Sequence, residues 1–229
     1  MQNPSVSDIT KHPSKVYLID NDPALRRSVT TMLSTTGIHC RCFEQGGEFL
    51  DTYQGQGPAC VVSSASLPDL SGIRLIQRLR EMSFSIPVII MAGQGEVDDV
   101  IRAFRVGAVD VFQKPITGSL LLERIQSALE HERAQRGKRE QANQLRLRIA
   151  KLSQRERQVM GLLIEGMPNK EIAWQLKLSD KTIAAHRANM LTKMQVDSLA
   201  KLISSVVRYN ISADAPPAPT PSRISASAA

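Results

Sequence analysis

Residues Pro168 to Met194 read PNKEIAWQLKLSDKTIAAHRANMLTKM, and the fold of the C-terminal half follows from this stretch. Lys170 to Leu176 places Ile172, Ala173 and Leu176 on one face at helical spacing. Lys177-Leu178-Ser179 then breaks the pattern, with Leu178 suited to plug an angle between two helices. The Ser179 hydroxyl can accept from the free amides of a following first turn, and Asp180 suits the positive end of that helix. The second helix, Asp180 to Met194, turns Ile183, Met190, Leu191 and Met194 inward. Lys181, Thr182, Ala184, Ala185, Arg187, Ala188 and Lys193 are left for its other faces. A short first helix and a second with small and basic outward residues suit a DNA major groove. A capped amphipathic pair inside an ordinary helical domain is the competing explanation.

Wider blocks decide between them. Leu152 to Val159 (LSQRERQV), Asn169 to Ala173 (NKEIA), Thr182-Ile183 and His186 to Asn189 (HRAN) together resemble the LuxR-type helix-turn-helix. The resemblance runs from about Leu152 to Val207 and is nearest in pattern to the FixJ/NarL response regulators. It implies bases read from Ala184, Ala185 and Ala188, which can touch thymine methyls but form no bidentate hydrogen bonds. Affinity then leans on phosphate contacts from Lys170, Lys181, Thr182, Arg187 and Lys193, with Asn169, His186 and Asn189 beside them. Ser153 and Glu156 form a capping box for the helix carrying Val159, Leu162 and Leu163. Val196-Asp197-Ser198 caps a last helix, and Leu199, Leu202 and Val206 are spaced for the dimer contact that LuxR-type domains make there. A role in the domain's own core is the alternative.

The charge is placed to match. The chain of 229 residues carries a net +7. Residues 1–129 hold 12 Lys/Arg against 13 Asp/Glu, residues 130–150 hold 6 against 3, and residues 151–210 hold 10 against 5. The positive excess lies in the C-terminal half and points to a polyanion there. No apolar run has membrane length and no signal pattern opens the chain, so a cytoplasmic protein without a membrane partner is expected. Cys40, Cys42 and Cys60 lack further ligands at metal spacing. Cys40 and Cys42 should share one face of a strand, as structural thiols more than as a redox sensor.

The N-terminal half alternates apolar strands with helices. The strands are Val16–Asp20, Ile38–Phe43, Cys60–Ser63, Pro87–Met91 and Val109–Phe112. Between them lie a helix from Pro23 to the Leu33–Gly37 region, capped by Asp22, then Glu48–Tyr53, a helix marked by Ile73, Leu75, Ile76 and Leu79, and Val97–Val106. Another helix starts at Ser119. This predicts an α/β fold, a doubly wound five-stranded parallel sheet of the flavodoxin-like kind, beside an all-α helix-turn-helix domain. Any site belongs at the carboxyl ends of the strands.

That half resembles the receiver domain of response regulators from about Val16 to Leu129. Leu67 to Gly72, Gly107 to Asp110 and Lys114-Pro115 stand where that family has them, and the resemblance implies a cis Lys114–Pro115 bond. A receiver holds Mg²⁺ on clustered acids and phosphorylates an aspartate at the end of the third strand. Here Asp20 is followed by Asn21, and the phosphoacceptor position is Ser64. The responding hydroxyl is Ala92, and the aromatic switch position is Val111, with Phe112 one step displaced. Asp20 and Lys114 remain, and Lys114 can pair with Asp20 directly. A serine forms no aspartyl phosphate, and one carboxylate with a neutral amide is a poor Mg²⁺ nest. No cofactor or metal is expected. A Ser/Asp/Lys hydrolase is the enzyme alternative, but it lacks a positioned base and nucleophile-elbow glycines.

The domains expected are a disordered start (1–14), a receiver-like unit (15–130), a helical linker (131–151) with Gly137 as its weak point, a helix-turn-helix domain (152–210) and a disordered tail (211–229). The function implied is a homodimeric regulator on double-stranded promoter DNA, acting without aspartyl phosphorylation. RNA polymerase enters as a further partner, and a sensor kinase is left open. An adaptor that sequesters a partner regulator or kinase through the receiver-like half is the second hypothesis.

Overall fold

The computed structural model describes residues 13–94 and 97–212 and divides between Arg136 and Gly137 into two compact units. In the first, five strands run parallel: β1 (Lys15–Ile19), β2 (His39–Phe43), β3 (Ala59–Ser64), β4 (Val88–Ala92) and β5 (Asp110–Gln113). Their order is β2-β1-β3-β4-β5. The order reverses at β1, so the crevice beyond the carboxyl ends of β1 and β3 is the natural site. The connecting helices are α1 (Pro23–Ser34), α2 (Gly46–Thr52), α3 (Gly72–Glu81), α4 (Val97–Arg105) and α5 (Gly118–Ala150).

Strand alternation sorts the core into two layers. Tyr17, Ile19, Val61, Val88 and Ile90 face Phe49 of α2 and Leu75, Ile76 and Leu79 of α3. Val16, Leu18, Cys60, Val62, Ile89 and Met91 face Val29 and Leu33 of α1 and Leu121 and Ile125 of α5. All six β3 residues are buried, the mark of a central parallel strand. Full burial of one such aliphatic side chain contributes about 1.5–3 kcal/mol.

Local chemistry sets the ends. Asp22 Oδ1 accepts from Ala24 N at 2.8 Å to open α1, with Pro23 at its first turn. The helix stops at Ser34, before Gly37. There the Ser34, Thr35 and Thr36 hydroxyls donate back to the carbonyls of Thr31, Met32 and Leu33, and the backbone turns at Gly37 with φ +71°. Asp69 Oδ1 and Oδ2 accept from Gly46 N at 3.0 Å and Gly47 N at 2.7 Å, tying the β3–α3 loop to the start of α2. A Cβ on Gly72 would lie 2.6 Å from Ser64 O, so this loop returns so close to β3 only with glycine.

Residues 131–150 are helical and belong to α5. Helix α5 is continuous through Gly137, a residue that lowers helix stability by only about 1 kcal/mol. Its last turns carry Ala142, Leu145 and Ile149 into the second unit's core. The expected disordered ends, 1–14 and 211–229, lie outside the described residues except at their inner edges. There Ser14 is buried and its hydroxyl accepts from Arg133 Nη2 at 2.7 Å, while Ile211 is buried in the second unit.

The second unit adds α6 (Gln154–Ile164), α7 (Asn169–Leu176), α8 (Asp180–Met194) and α9 (Leu199–Tyr209). Its core joins Val159, Met160 and Leu163 of α6 with Ile172, Ile183, Met190, Met194, Leu202 and Val206. Ser153 and Glu156 form the reciprocal capping box of α6.

Candidate nucleic-acid interface and degenerate receiver pocket

The turn between α7 and α8 is built as its residues require. Lys177 takes the left-handed conformation at φ 54° to end α7, and Leu178 packs against the core in the angle. Ser179 Oγ accepts from Thr182 N at 3.1 Å and stands 2.8 Å from the Thr182 hydroxyl. With Ile183, Met190 and Met194 buried, α8 exposes Lys181, Ala184, Ala185, Ala188 and Asn189 along its outer face. Thr182, His186 and Arg187 are half-buried on its flanks. At the start of α7, Lys170 is exposed and Asn169 half-buried. No side chain caps this helix, and the Glu171 and Ile172 amides donate to the Pro168 carbonyl at 3.0 and 3.1 Å. At fifteen residues α8 is about 22 Å long, enough to lie along a major groove.

Lys193 and the three α9 residues all make contacts inside the second unit. Lys193 already has a partner within the unit: its Nζ lies 2.7 Å from Glu156 Oε2, the oxygen that also accepts from Ser153 N at 2.7 Å. Burial works against the Glu156 charge, but the bonds from Lys193 and Ser153 outweigh it and hold its carboxyl below the ordinary glutamate range. Leu202 and Val206 are 0% and 4% exposed and belong to the domain core, with Leu199 half-buried against it. The spacing identified one face of α9 correctly, and that face turned inward. Arg148 was not singled out. From the end of α5 its Nη1 donates to Met194 O at 3.2 Å, satisfying the C-terminus of the outward-facing helix. No spacing rule could have found a partner 46 residues away.

The receiver-like pocket lies where the sheet order reverses. Asp20 is fully buried; its Oδ2 accepts from Lys114 Nζ at 2.6 Å and its Oδ1 from Asp22 N at 2.9 Å. Arg26 Nη1 donates to Asp20 O at 2.6 Å. Lys114 N bonds to Ala92 O at 2.7 Å, which holds the lysine at the sheet's carboxyl edge, and the Lys114–Pro115 bond is cis. Ser64 ends β3, buried, one residue beyond the Ile19–Ser63 pairing of β1 with β3. Ala92 is buried at the end of β4 and Asn21 is exposed. Val111 packs against the α2–α3 layer and Phe112 against the α1–α5 layer. One step along β5 therefore sends the aromatic to the opposite face, where it cannot stand in for Val111.

A receiver's Mg²⁺ does not fit this donor set. The single buried carboxylate has both oxygens engaged, and the neighbouring groups are a neutral amide and a hydroxyl. Among the described residues, no three His, Cys, Asp or Glu side chains gather to hold a metal ion.

Comparison with known proteins matches both units. Residues 16–126 match the response regulator receiver domain, and residues 150–206 match the bacterial regulatory proteins of the luxR family. The transcriptional regulatory protein FixJ of Bradyrhizobium diazoefficiens is 38% identical over 84% of this chain and 94% of its own length. This chain is a member of the FixJ-type response-regulator family. The response regulator protein TodT of Pseudomonas putida is 30% identical over 83% of this chain and 84% of its own. Among solved structures, response regulator StyR is similar at a TM-score of 0.80 and 31% identity, covering 86% of this chain and all of that one. Full-length FixJ from B. japonicum is similar at 0.53 and 37%, covering 86% and 97%. FixJ-type regulators act on transcription through a DNA-binding domain and are not enzymes. Among the described residues, no helix is long and apolar enough to cross a membrane.

Proposed function

We propose that this FixJ-type regulator binds promoter DNA as a homodimer and that its receiver works without aspartyl phosphorylation. The observation that carries the second part is the Lys114–Asp20 ion pair of 2.6 Å beside Ser64. The lysine that would answer a phosphoryl group is already neutralised by the one remaining acid. Ser64, Ala92 and Val111 replace the acceptor, the responding hydroxyl and the aromatic together, so input and relay are lost as a set. The domain's state is then set by packing and by contacts, not by phosphate.

On DNA, Ala184, Ala185 and Ala188 face the bases and discriminate through apolar contact with thymine methyls. Asn169, Lys170, Lys181, Thr182, His186, Arg187 and Asn189 supply contacts to the backbone and groove edge. Half-sites lie about 10 base pairs apart, centre to centre. The homodimer contact on α9 moves to its outward side, where Ile203 is half-buried and Val207 is 67% exposed, with Ala200 and Ser204 between them in the helical array.

The test is intact mass after acetyl phosphate with Mg²⁺, run beside operator titrations with and without the donor. No adduct and no change in operator affinity are expected. An adduct accompanied by a tenfold affinity change, about 1.4 kcal/mol, would refute the phosphate-independent mechanism.

A further inference from the structure

Helix α7 turns Ile172, Ala173 and Leu176 towards the core of the second unit and holds Trp174, the chain's one tryptophan, on its opposite face, 85% exposed. At about 100° per residue, the exposed arc of this helix runs in the order Lys170, Trp174, Glu171, Gln175. All four side chains are exposed. Gln175 lines a groove against α6 together with Gln158 and Gly161. Glu171, one turn earlier, shares that flank. Lys170 therefore marks the other flank, on the side where α7 packs against α8. The indole stands between them, with a cation on its α8 side and the acid turned towards α6.

We propose that Trp174 is a backbone contact for double-stranded DNA, its ring packed on a deoxyribose and its Nε1–H donating to the adjoining phosphate, at the edge of the groove that α8 enters. This rests on the reading of α8 and Lys170 as DNA-facing, and it extends that surface along α7 by one helical turn.

The chemistry of the side chain suits a sugar–phosphate backbone. An indole has an apolar plane for the face of the sugar and a single donor at its rim for a phosphate oxygen. Two observations favour DNA over a protein surface as the occupant. The cation beside the ring, Lys170, lies on the flank next to α8, so the contact is continuous with the DNA-facing helix. Residues 151–210 also hold 10 Lys/Arg against 5 Asp/Glu, which draws a polyanion to this unit. A contact of this kind positions the protein on the duplex and reads no base. Burying the ring adds affinity without releasing a counterion, unlike a lysine on a phosphate.

The experiment uses the full-length chain, a duplex that it selects from a random-sequence pool, and an unrelated duplex of the same length. Binding is followed by the anisotropy of a dye on the DNA, while tryptophan emission comes from Trp174 alone. Bound duplex should quench that emission and move it to shorter wavelength as the ring leaves water. Trp174→Ala should weaken binding of both duplexes by about tenfold, the loss expected of an aromatic anchor, with Tm and the slope of log affinity against log salt unchanged. Trp174→Phe keeps a ring and loses the donor, and should fall between. The assignment is overturned if the emission of the bound chain equals that of the free chain. It is equally overturned if Trp174→Ala binds both duplexes as the parent does, or if it loses only the selected one, as a base reader would. Those results leave DNA binding by α8 standing. A chain that retains no duplex from the pool overturns that reading and this contact together.

Discussion

Replacing Lys193 by alanine should damage the fold of the DNA-binding unit and spare its electrostatics on DNA. The lysine lies 42% exposed, and the Glu156 carboxylate it pairs with, at 2.7 Å, is buried. Stripping one partner from a fully buried pair destabilises by about 3–5 kcal/mol. Solvent reaches Lys193, so the loss falls towards that of one charge-assisted hydrogen bond, about 1.5–3 kcal/mol. About 2 kcal/mol in a unit of this size lowers Tm by on the order of 10 °C. Trp174, the chain's one tryptophan, is already 85% exposed on α7, so unfolding is followed by circular dichroism of the helices instead. Operator titrations at several salt concentrations complete the assay. Lys193→Ala should leave the slope of log affinity against log salt unchanged, because it removes no phosphate contact. Lys181→Ala should reduce that slope by about 0.9, the share of one phosphate, with Tm unchanged. A Lys193→Ala protein that melts like the parent and loses 0.9 of the slope would refute this assignment.

Lys114→Met leaves the fully buried Asp20 without its partly exposed cation and should cost about 1.5–3 kcal/mol in urea denaturation, the worth of one charge-assisted hydrogen bond; adding Asp20→Asn should recover most of it, and a simple sum of the two losses would deny the coupling. Leu202→Ala should destabilise the second unit by about 2–5 kcal/mol. Val207→Ser should instead weaken dimerisation in sedimentation with little change in Tm, and the opposite pattern would return the dimer contact to the Leu202 face. The Asp69 carboxyl is opposed by burial, but the Gly47 and Gly46 amides outweigh that and hold it below the ordinary aspartate range. Its stabilisation is therefore complete above the unfolded value, about 3.9, and is lost as pH falls through the lower folded value. Asp69→Asn should flatten acid unfolding of the receiver unit in that window, and an unchanged acid limb would show that the loop tie does not matter.

What could be read from the sequence was mostly local chemistry. The Ser153–Glu156 capping box, the Ser179 and Asp22 caps, and the inward stripe of Ile183, Met190 and Met194 each depend on residues within a few positions. The Lys114–Asp20 pair, 94 residues apart, was legible through the receiver pattern alone, which sets the strand ends side by side. What escaped depends on long-range partners. Lys193 reads as a DNA contact because it is basic and sits on the outward-facing helix, yet Glu156, 37 residues earlier, occupies it. Spacing defines the Leu199–Leu202–Val206 face of α9 without saying which way that face turns. In residues 131–151 the helical spacing of Leu145 and Ile149 is legible, but spacing alone does not say that they join the second unit's core with Ala142.

The same physics decides whether one substitution could return the receiver to phosphate control. Ser64→Asp restores an acceptor carboxylate at the end of β3, next to Asp20 at the end of β1. Two carboxylates would then share the one lysine, whose Nζ is already 2.6 Å from Asp20. In a working receiver, Mg²⁺ relieves such crowding, but Asn21 supplies a neutral exposed amide where another acid is needed. The added charge should therefore strain the pocket, because two like charges side by side repel. Readout would still be missing, since Ala92 has no hydroxyl to move and Phe112 lies on the far face of β5. Ser64→Asp should melt below the parent at neutral pH. Acetyl phosphate with Mg²⁺ should leave its operator affinity where it was. A Ser64→Asp protein that melts higher with Mg²⁺ and binds operator tenfold more tightly after phosphodonor would show that the pocket lost only its acceptor, and that Asn21, Ala92 and Val111 are no barrier to the switch.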